Sequence, residues 1–334
     1  QIAAELQDFF VRSSQKLTTV NVRDSLERYA QVSLLPGIGT NHRLSGRVVN
    51  DYSLNILAGY SRGNRVLEIG GLGNINRENV SGFQAAGLFN ITGDDLFGVQ
   101  AAGLFNNLGN DARGAQFAGI YNFIRDTLRG AQFAGIGNYS GYTAPGAFQA
   151  AGILNVAPNG RVNTQFAGII NHAHKSAFQA AGIANTADTL LGVQVAGIFN
   201  RAGQARGAQI GLINFAREIK GVQLGLINLS QYGGYVVLEF SANDVLLANA
   251  AFKSGVPALY TILTAGYDPD SPASERFWAY GIGLGARARF TNWSGMSFDL
   301  IHRHLNEGGH SNHWQEWGQL AAAPDLNFGQ HFSI

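Results

Sequence analysis

The stretch "GVQAAGLFNNLGNDARGAQFAGIYNFIRDTLRGAQFAGIGN", residues 98–138, states one unit three times. Gln100, Gln116 and Gln132 recur every sixteen residues, and six positions after each comes Asn106, Asn122 or Asn138. Extended both ways, the pattern makes ten units anchored by Gln84, Gln100, Gln116, Gln132, Gln149, Gln165, Gln179, Gln194, Gln209 and Gln223, at spacings of 14 to 17 residues. A degenerate earlier copy, "EIGGLGN", runs from Glu68 to Asn74. A period this short cannot hold a helix pair, and a glycine in mid-motif disfavours helix. Each unit is therefore one strand with a turn, or one small solenoid coil.

Side-chain alternation along a strand has period two, so in the first eight units, where Gln and Asn lie six apart, the two share a face. That face reads Gln, Ala, Leu or Ile, Asn, as in Gln116, Ala118, Ile120 and Asn122. The opposite face is small or aromatic and carries no charge: Phe83, Phe89, Phe105, Phe117, Tyr121, Phe133, Phe148, Phe166, Phe178 and Phe199 belong to it. Charges gather between motifs, at Asp94, Asp95, Asp111, Arg113, Arg125, Asp126, Lys175, Asp188, Arg206, Arg217 and Glu218. No helical segment could cover so large an apolar sheet face. Lipid could, and sixteen residues less a turn leave the 9–11 that a tilted membrane strand needs. In lipid the sheet must close, because an open edge leaves backbone groups unpaired.

The flanks continue in strands. "SLNILAGYS" (53–61) and "RVLEIGGLGNI" (65–75) precede the repeats. "YVVLEFSA" (235–242), "DVLLANAAFK" (244–253), "VPALYTILTAGY" (256–267), "RFWAYGIGLGARARF" (276–290), "MSFDLIHRHL" (296–305) and a last strand within 318–334 follow them. Two, ten and six strands predict an all-β transmembrane antiparallel barrel of about eighteen strands over residues 51–334, its repeat strands at 82–230. Residues 1–50 form a pre-barrel segment, periplasmic or lumen-facing, with a short helix around "VRDSLERYAQ" (22–31). The alternative architecture is a parallel β-solenoid with stacked asparagines, which would turn its aromatic residues to water.

Composition suits many short strands rather than helices. Only 13% of the 334 residues are charged, 44 are glycine, and 23 basic residues balance 22 acidic ones, so no global field attracts nucleic acid. Cysteine is absent, which removes disulfides and thiolate chemistry. The "GxQxAGLxN" units, with "SLNILAGYSRG" and "LEIGGLGNINRENVSG" before them, resemble the short-repeat surface proteins of bacterial outer membranes, especially those of Bacteroidota. The resemblance covers residues 50–305 and implies an outer-membrane location more than an activity.

In the barrel reading the amides line the lumen in two belts. One holds Gln84, Gln100, Gln116, Gln132, Gln149, Gln165, Gln179 and Gln194; the other holds Asn90, Asn106, Asn122, Asn138, Asn155, Asn171, Asn185 and Asn200. Antiparallel neighbours place the Gln end of one strand beside the Asn end of the next. The ten aromatic residues named above face lipid.

Catalytic candidates are few. "DLIHRHLNEGGHSNHWQEW" holds Asp299, His302, His304, Glu307, His310, His313 and Glu316, and His302 and His304 alternate onto one strand face as a metal pair would. No fixed-spacing metal signature accompanies them, so no metal, cofactor or catalytic residue is expected. "HAHK" (172–175), the glycines of "GIGLGARARF" and the serines Ser294 and Ser297 lack the context that chemistry would need. Arg287 and Arg289 share a face directed at the lumen or the headgroups. The expected function is a non-enzymatic outer-membrane barrel with a closed lumen, a structural or partner-binding part of the envelope in contact with lipid and with other outer-membrane or periplasmic proteins. A passive channel is the alternative, and a surface β-solenoid adhesin the second.

Overall fold

The computed structural model describes residues 25–270, 277–291, 293–307, 315–328 and 332–333. The chain divides into two compact units, Gln1–Gly182 and Ile183–Ile334.

The first unit is a parallel β-solenoid. Strands Val80–Ala86, Leu96–Ala102 and Ala112–Ala118 lie side by side in parallel, as do Phe89–Thr92, Phe105–Leu108 and the start of Tyr121–Ala134. Register is set residue on residue. Gln84 faces Gln100, which faces Gln116, then Gln132, Gln149, Gln165 and Gln179. Asn74, Asn90, Asn106, Asn122, Asn138, Asn155 and Asn171 align in the same way.

This overturns the transmembrane antiparallel barrel. Each sixteen-residue unit is one coil that returns to its own starting edge, not one strand that reverses. The glutamines therefore meet glutamines rather than the asparagine ends of neighbours, and the amides line no lumen: they fill the coil interior, fully buried. The expected inward row also fails at its Leu and Ile positions, while the alanines before the bend, such as Ala118, are half-buried. A two-residue bend at Gly119–Ile120 separates the strands within each motif and resets the alternation, so Ile120 points outward, 41% exposed. Glycine is required at this bend. A Cβ at Gly103, Gly119 or Gly135 would collide with the carbonyl oxygen of the equivalent glycine one coil earlier.

The remaining interior of the first unit is two columns of apolar residues interspersed with small polar ones, Asn76, Thr92 and Ser140 in the first and Thr143 and Ser176 in the second. Leu108, Ile124, Ala157 and Ala173 follow the asparagines by two positions, and Val80, Leu96, Ala112, Leu128 and Val162 lie across from them. Near the start of the chain, Leu26–Leu35 is a strand paired in parallel with Val48–Asn55, so the helix expected around 22–31 is not formed over its described part. Residues 1–24 of the pre-barrel segment lie outside the described residues.

The second unit begins with parallel coils built from Ala184–Ala196, Phe199–Ala205, Ala208–Ile210, Ile213–Ile219, Val222–Leu224 and Ile227–Tyr232. From Tyr235 the grammar changes. Tyr235–Ser241, Ala248–Val256, Leu259–Tyr267, Phe277–Arg289, Ser294–Glu307 and Gln315–Phe328 form an antiparallel meander. No pairing among the described residues closes its first strand on its last. Within this unit the meander caps the coils: Val256 packs into the apolar column of Leu190, Ala202, Ala205, Ala216 and Ile219.

Candidate functional site

The interior chemistry follows from parallel stacking. Equivalent residues of successive coils lie about 4.8 Å apart, so each inward side chain must satisfy copies of itself. A primary amide can, having both donor and acceptor. Gln100 Nε2 donates to Gln84 Oε1 at 2.7 Å, Gln116 to Gln100 at 2.8 Å, and Gln132 to Gln116 at 3.0 Å. Asparagines run the opposite way: Asn90 Nδ2 donates forward to Asn106 Oδ1, and Asn106 to Asn122, each at 2.9 Å. The second amide hydrogen of Asn106 reaches the Phe117 carbonyl at 2.8 Å.

One acid enters this system. Glu68 holds the glutamine position, accepting from Gln84 Nε2 at 2.7 Å and from Asn55 Nδ2 at 3.0 Å. Burial raises its pKa, while the hydrogen bonds from Gln84, Asn76, Asn55 and Ser53 pull it down without offsetting the rise. In the second unit the asparagine ladder Asn185, Asn200, Asn214, Asn228 ends on the meander, where Asn228 Nδ2 donates to Thr261 Oγ1 at 3.0 Å.

The outside of the coils is where the molecule meets its surroundings. In the first unit Leu88, Leu104, Ile120, Ile136 and Ile153 form an exposed outward column at the bend. Beside it, Phe117, Phe133, Phe148, Phe166 and Phe178 form one run of ring contacts at 5.0 to 5.9 Å. Phe89 stacks on Phe105 at 5.5 Å. Phe83, Phe117, Phe166 and Tyr121 are exposed; Phe89, Phe105, Phe133, Phe148, Phe178 and, in the second unit, Phe199 are half-buried among their neighbours. All ten aromatic residues thus lie on the outside of coils rather than on a barrel wall. In the second unit Ile183, Ile198, Leu212 and Leu226 repeat the exposed bend column.

The meander divides its faces as sharply. Leu238, Phe240, Leu300 and Leu320 are exposed on one face, at 61%, 75%, 61% and 81%. On the other, Lys253 Nζ sits 2.6 Å from Glu239 and 2.7 Å from Asp299, and the Tyr260 hydroxyl donates to Asp299 at 2.6 Å. Burial opposes the charge of Lys253, yet the two carboxylates hold its pKa above the usual value. Burial, then the bond to Asp299, raises that of Tyr260. Arg287 pairs with Asp325 at 2.7 Å, inside this polar face.

His302 and His304 lie on one strand, opposite Ile282 and Tyr280, and the His304 ring contacts Tyr280 at 5.3 Å. Asp299 is engaged by Lys253, and among the described residues no three of His, Asp and Glu converge as metal ligands. His310 and His313 lie outside the described residues. Ser297 donates to Asp325 rather than to a histidine. Neither Glu68 nor the Lys253 cluster was picked out by motif; the sign of Glu68 was its place in "EIGGLGN", where every later copy has glutamine.

Fold and side chains together define an amphipathic amide-ladder β-solenoid. Comparison with protein-family profiles, with curated proteins and with solved structures returns no match.

Proposed function

We propose that the chain is a non-enzymatic β-solenoid of the bacterial cell surface that attaches to a lipid surface through the apolar outside of its coils. The observation that carries the reading is the segregation in Gln1–Gly182. Five exposed Leu and Ile residues and a five-ring aromatic run are uncharged over successive coils, while charges such as Arg125, Asp126, Arg161 and Lys175 lie on the chain between each asparagine and the next glutamine. Apolar patches of more than a few hundred Å² mark association or membrane surfaces. Lipid suits this one because the residues repeat without any polar group that would specify a partner's position. Contact is peripheral: the coils lie on the lipid and do not cross it.

Flotation with phosphatidylcholine vesicles tests this. These are neutral overall, which suits a chain of net charge +1. The wild-type protein is expected to float. The Phe117→Arg/Phe166→Arg variant is expected to stay in the bottom fractions with an unchanged urea midpoint, since both side chains are outward and exposed. Absence of wild-type flotation, or equal flotation of both proteins, overturns the reading.

A further inference from the structure

A cleft of about 590 Å³ opens within the second unit, between its last coils and the meander. Its coil wall is Ile210, Leu212, Leu224 and Leu226. Its sheet wall is Ile282, Leu284 and Leu300, with the exposed His302 at the same wall. No lining residue is an acid, a lysine or an arginine.

The cleft lies where the repeat departs from its own rule. Earlier motifs, such as "FQAAGLFN", put Asn six residues after Gln. In "AQIGLIN" (208–214) and "VQLGLIN" (222–228) the distance is five, because one small residue is missing. Each of these two motifs is one residue shorter, and their Gly211 and Gly225 form part of the lining. Backbone groups in this wall are already used: Gly211 N donates to the Leu224 carbonyl, and Ile227 N to that of Leu212. The Thr261 hydroxyl donates to the Gly225 carbonyl at 2.6 Å and accepts from Asn228. The wall therefore offers contact area and almost no unused hydrogen bonding. His302 is the one polar side chain left to meet a ligand.

From this geometry we propose that the cleft binds a single fatty acyl chain, its hydrocarbon against the two walls and its oxygen-bearing head beside His302. The volume lies in the usual range of about 300–1,000 Å³ for ligand pockets. Coil residues stacked in pairs, Ile210 on Leu224 in register, make the wall a strip suited to an extended chain rather than a round ligand. Binding of one chain needs no vesicle, so it stands or falls separately from surface attachment.

Equilibrium dialysis with palmitate and with 1-palmitoyl lysophosphatidylcholine, each kept monomeric, is the test, and it separates a free acid from a lipid-borne chain. Saturable one-to-one binding of at least one probe is expected. Leu300→Arg and Leu212→Arg, one in each wall, should each weaken it at least tenfold. Leu238→Arg, exposed on the same sheet face but outside the cleft, should leave it within twofold, and urea midpoints verify that all three variants fold. Failure of both probes to saturate, or equal loss in Leu238→Arg, overturns the assignment. Loss of vesicle flotation alone leaves it standing.

Discussion

The coils of Gln1–Gly182 and the meander of Tyr235–Phe328 both bury polar side chains and expose apolar ones, but the coils bury neutral amides and the meander buries charges. Strand direction accounts for the difference. A parallel stack sets each residue on its own copy, and like charges in such a column would repel at about 4.8 Å. An amide column is self-complementary. An antiparallel sheet sets unlike residues side by side, so Lys253 can reach Glu239 on the neighbouring strand, and on the same face it also reaches Asp299 three strands away. Direction thus selects which polar chemistry an interior can hold.

The sharpest way to break this comparison is to put a charge in a column. Gln116→Glu removes the donor to Gln100 and buries a carboxylate between amides, and it should cost about 3–5 kcal/mol at pH 7. Burial raises the folded pKa of the new acid. Its stability is therefore fullest below the unfolded carboxyl pKa and is lost as pH rises through the folded value. Urea midpoints at pH 4.5 and pH 7 should show the defect mainly at the higher pH. An equal defect at both would contradict the account.

Asp299→Ala probes the other region. It removes a partner of Lys253 and the acceptor of the Tyr260 hydroxyl, at an expected cost of about 2–3 kcal/mol, less than full breakage because Glu239 remains. Chemical denaturation checks it; a loss under about 0.5 kcal/mol would mean the cluster is decorative.

Glu68→Gln turns the exception into the rule. The raised pKa of Glu68 means that wild-type stability falls as pH rises above the unfolded carboxyl value of about 4.3. The variant lacks that loss, so its advantage should grow with pH by at most about 1.4 kcal/mol per unit until the acid is ionised. Midpoints at pH 4, 5.5 and 7 measure the slope, and a flat difference speaks against a raised pKa at Glu68. Smallest of all is Arg125→Ala, exposed on the strand Tyr121–Ala134 outside the columns, expected within about 0.5 kcal/mol of wild type by thermal melting.

Much of this was legible before any coordinates. The period, the strand content, the outward aromatic residues of the motif and the existence of strands after Tyr235 can all be read from spacing and alternation. Strand direction could not be read from alternation, because a period of two is the same in parallel and antiparallel sheets. A subtler signal was present. In an up-and-down sheet successive strands reverse, so the natural chemical repeat is two strands, near thirty-two residues here, whereas Gln100, Gln116 and Gln132 repeat at sixteen. The positions of Ile120 and its equivalents were misassigned because a bend at Gly119 interrupts the count, and that bend shows only once the coil is closed. The cleft required knowing that the shortened motifs at Gln209 and Gln223 face the meander, a long-range fact with no local sign.

The opposite running of the two ladders has a further consequence. Along the ladders, Gln100 and Gln116 donate to the glutamine one coil earlier, and Asn90 and Asn106 to the asparagine one coil later. The axial dipoles of the two columns therefore cancel coil by coil, and lengthening the stack builds up no end-to-end field of the kind that grows along a helix. An inserted coil also makes one glutamine and one asparagine bond to each neighbour, as the coil beside it does. Copy number is then nearly free of electrostatic penalty, and such a chain can gain or lose units by duplication as a ruler gains or loses divisions. The same equivalence carries a kinetic hazard: a strand that pairs one coil out of place finds correct partners everywhere except at the ends.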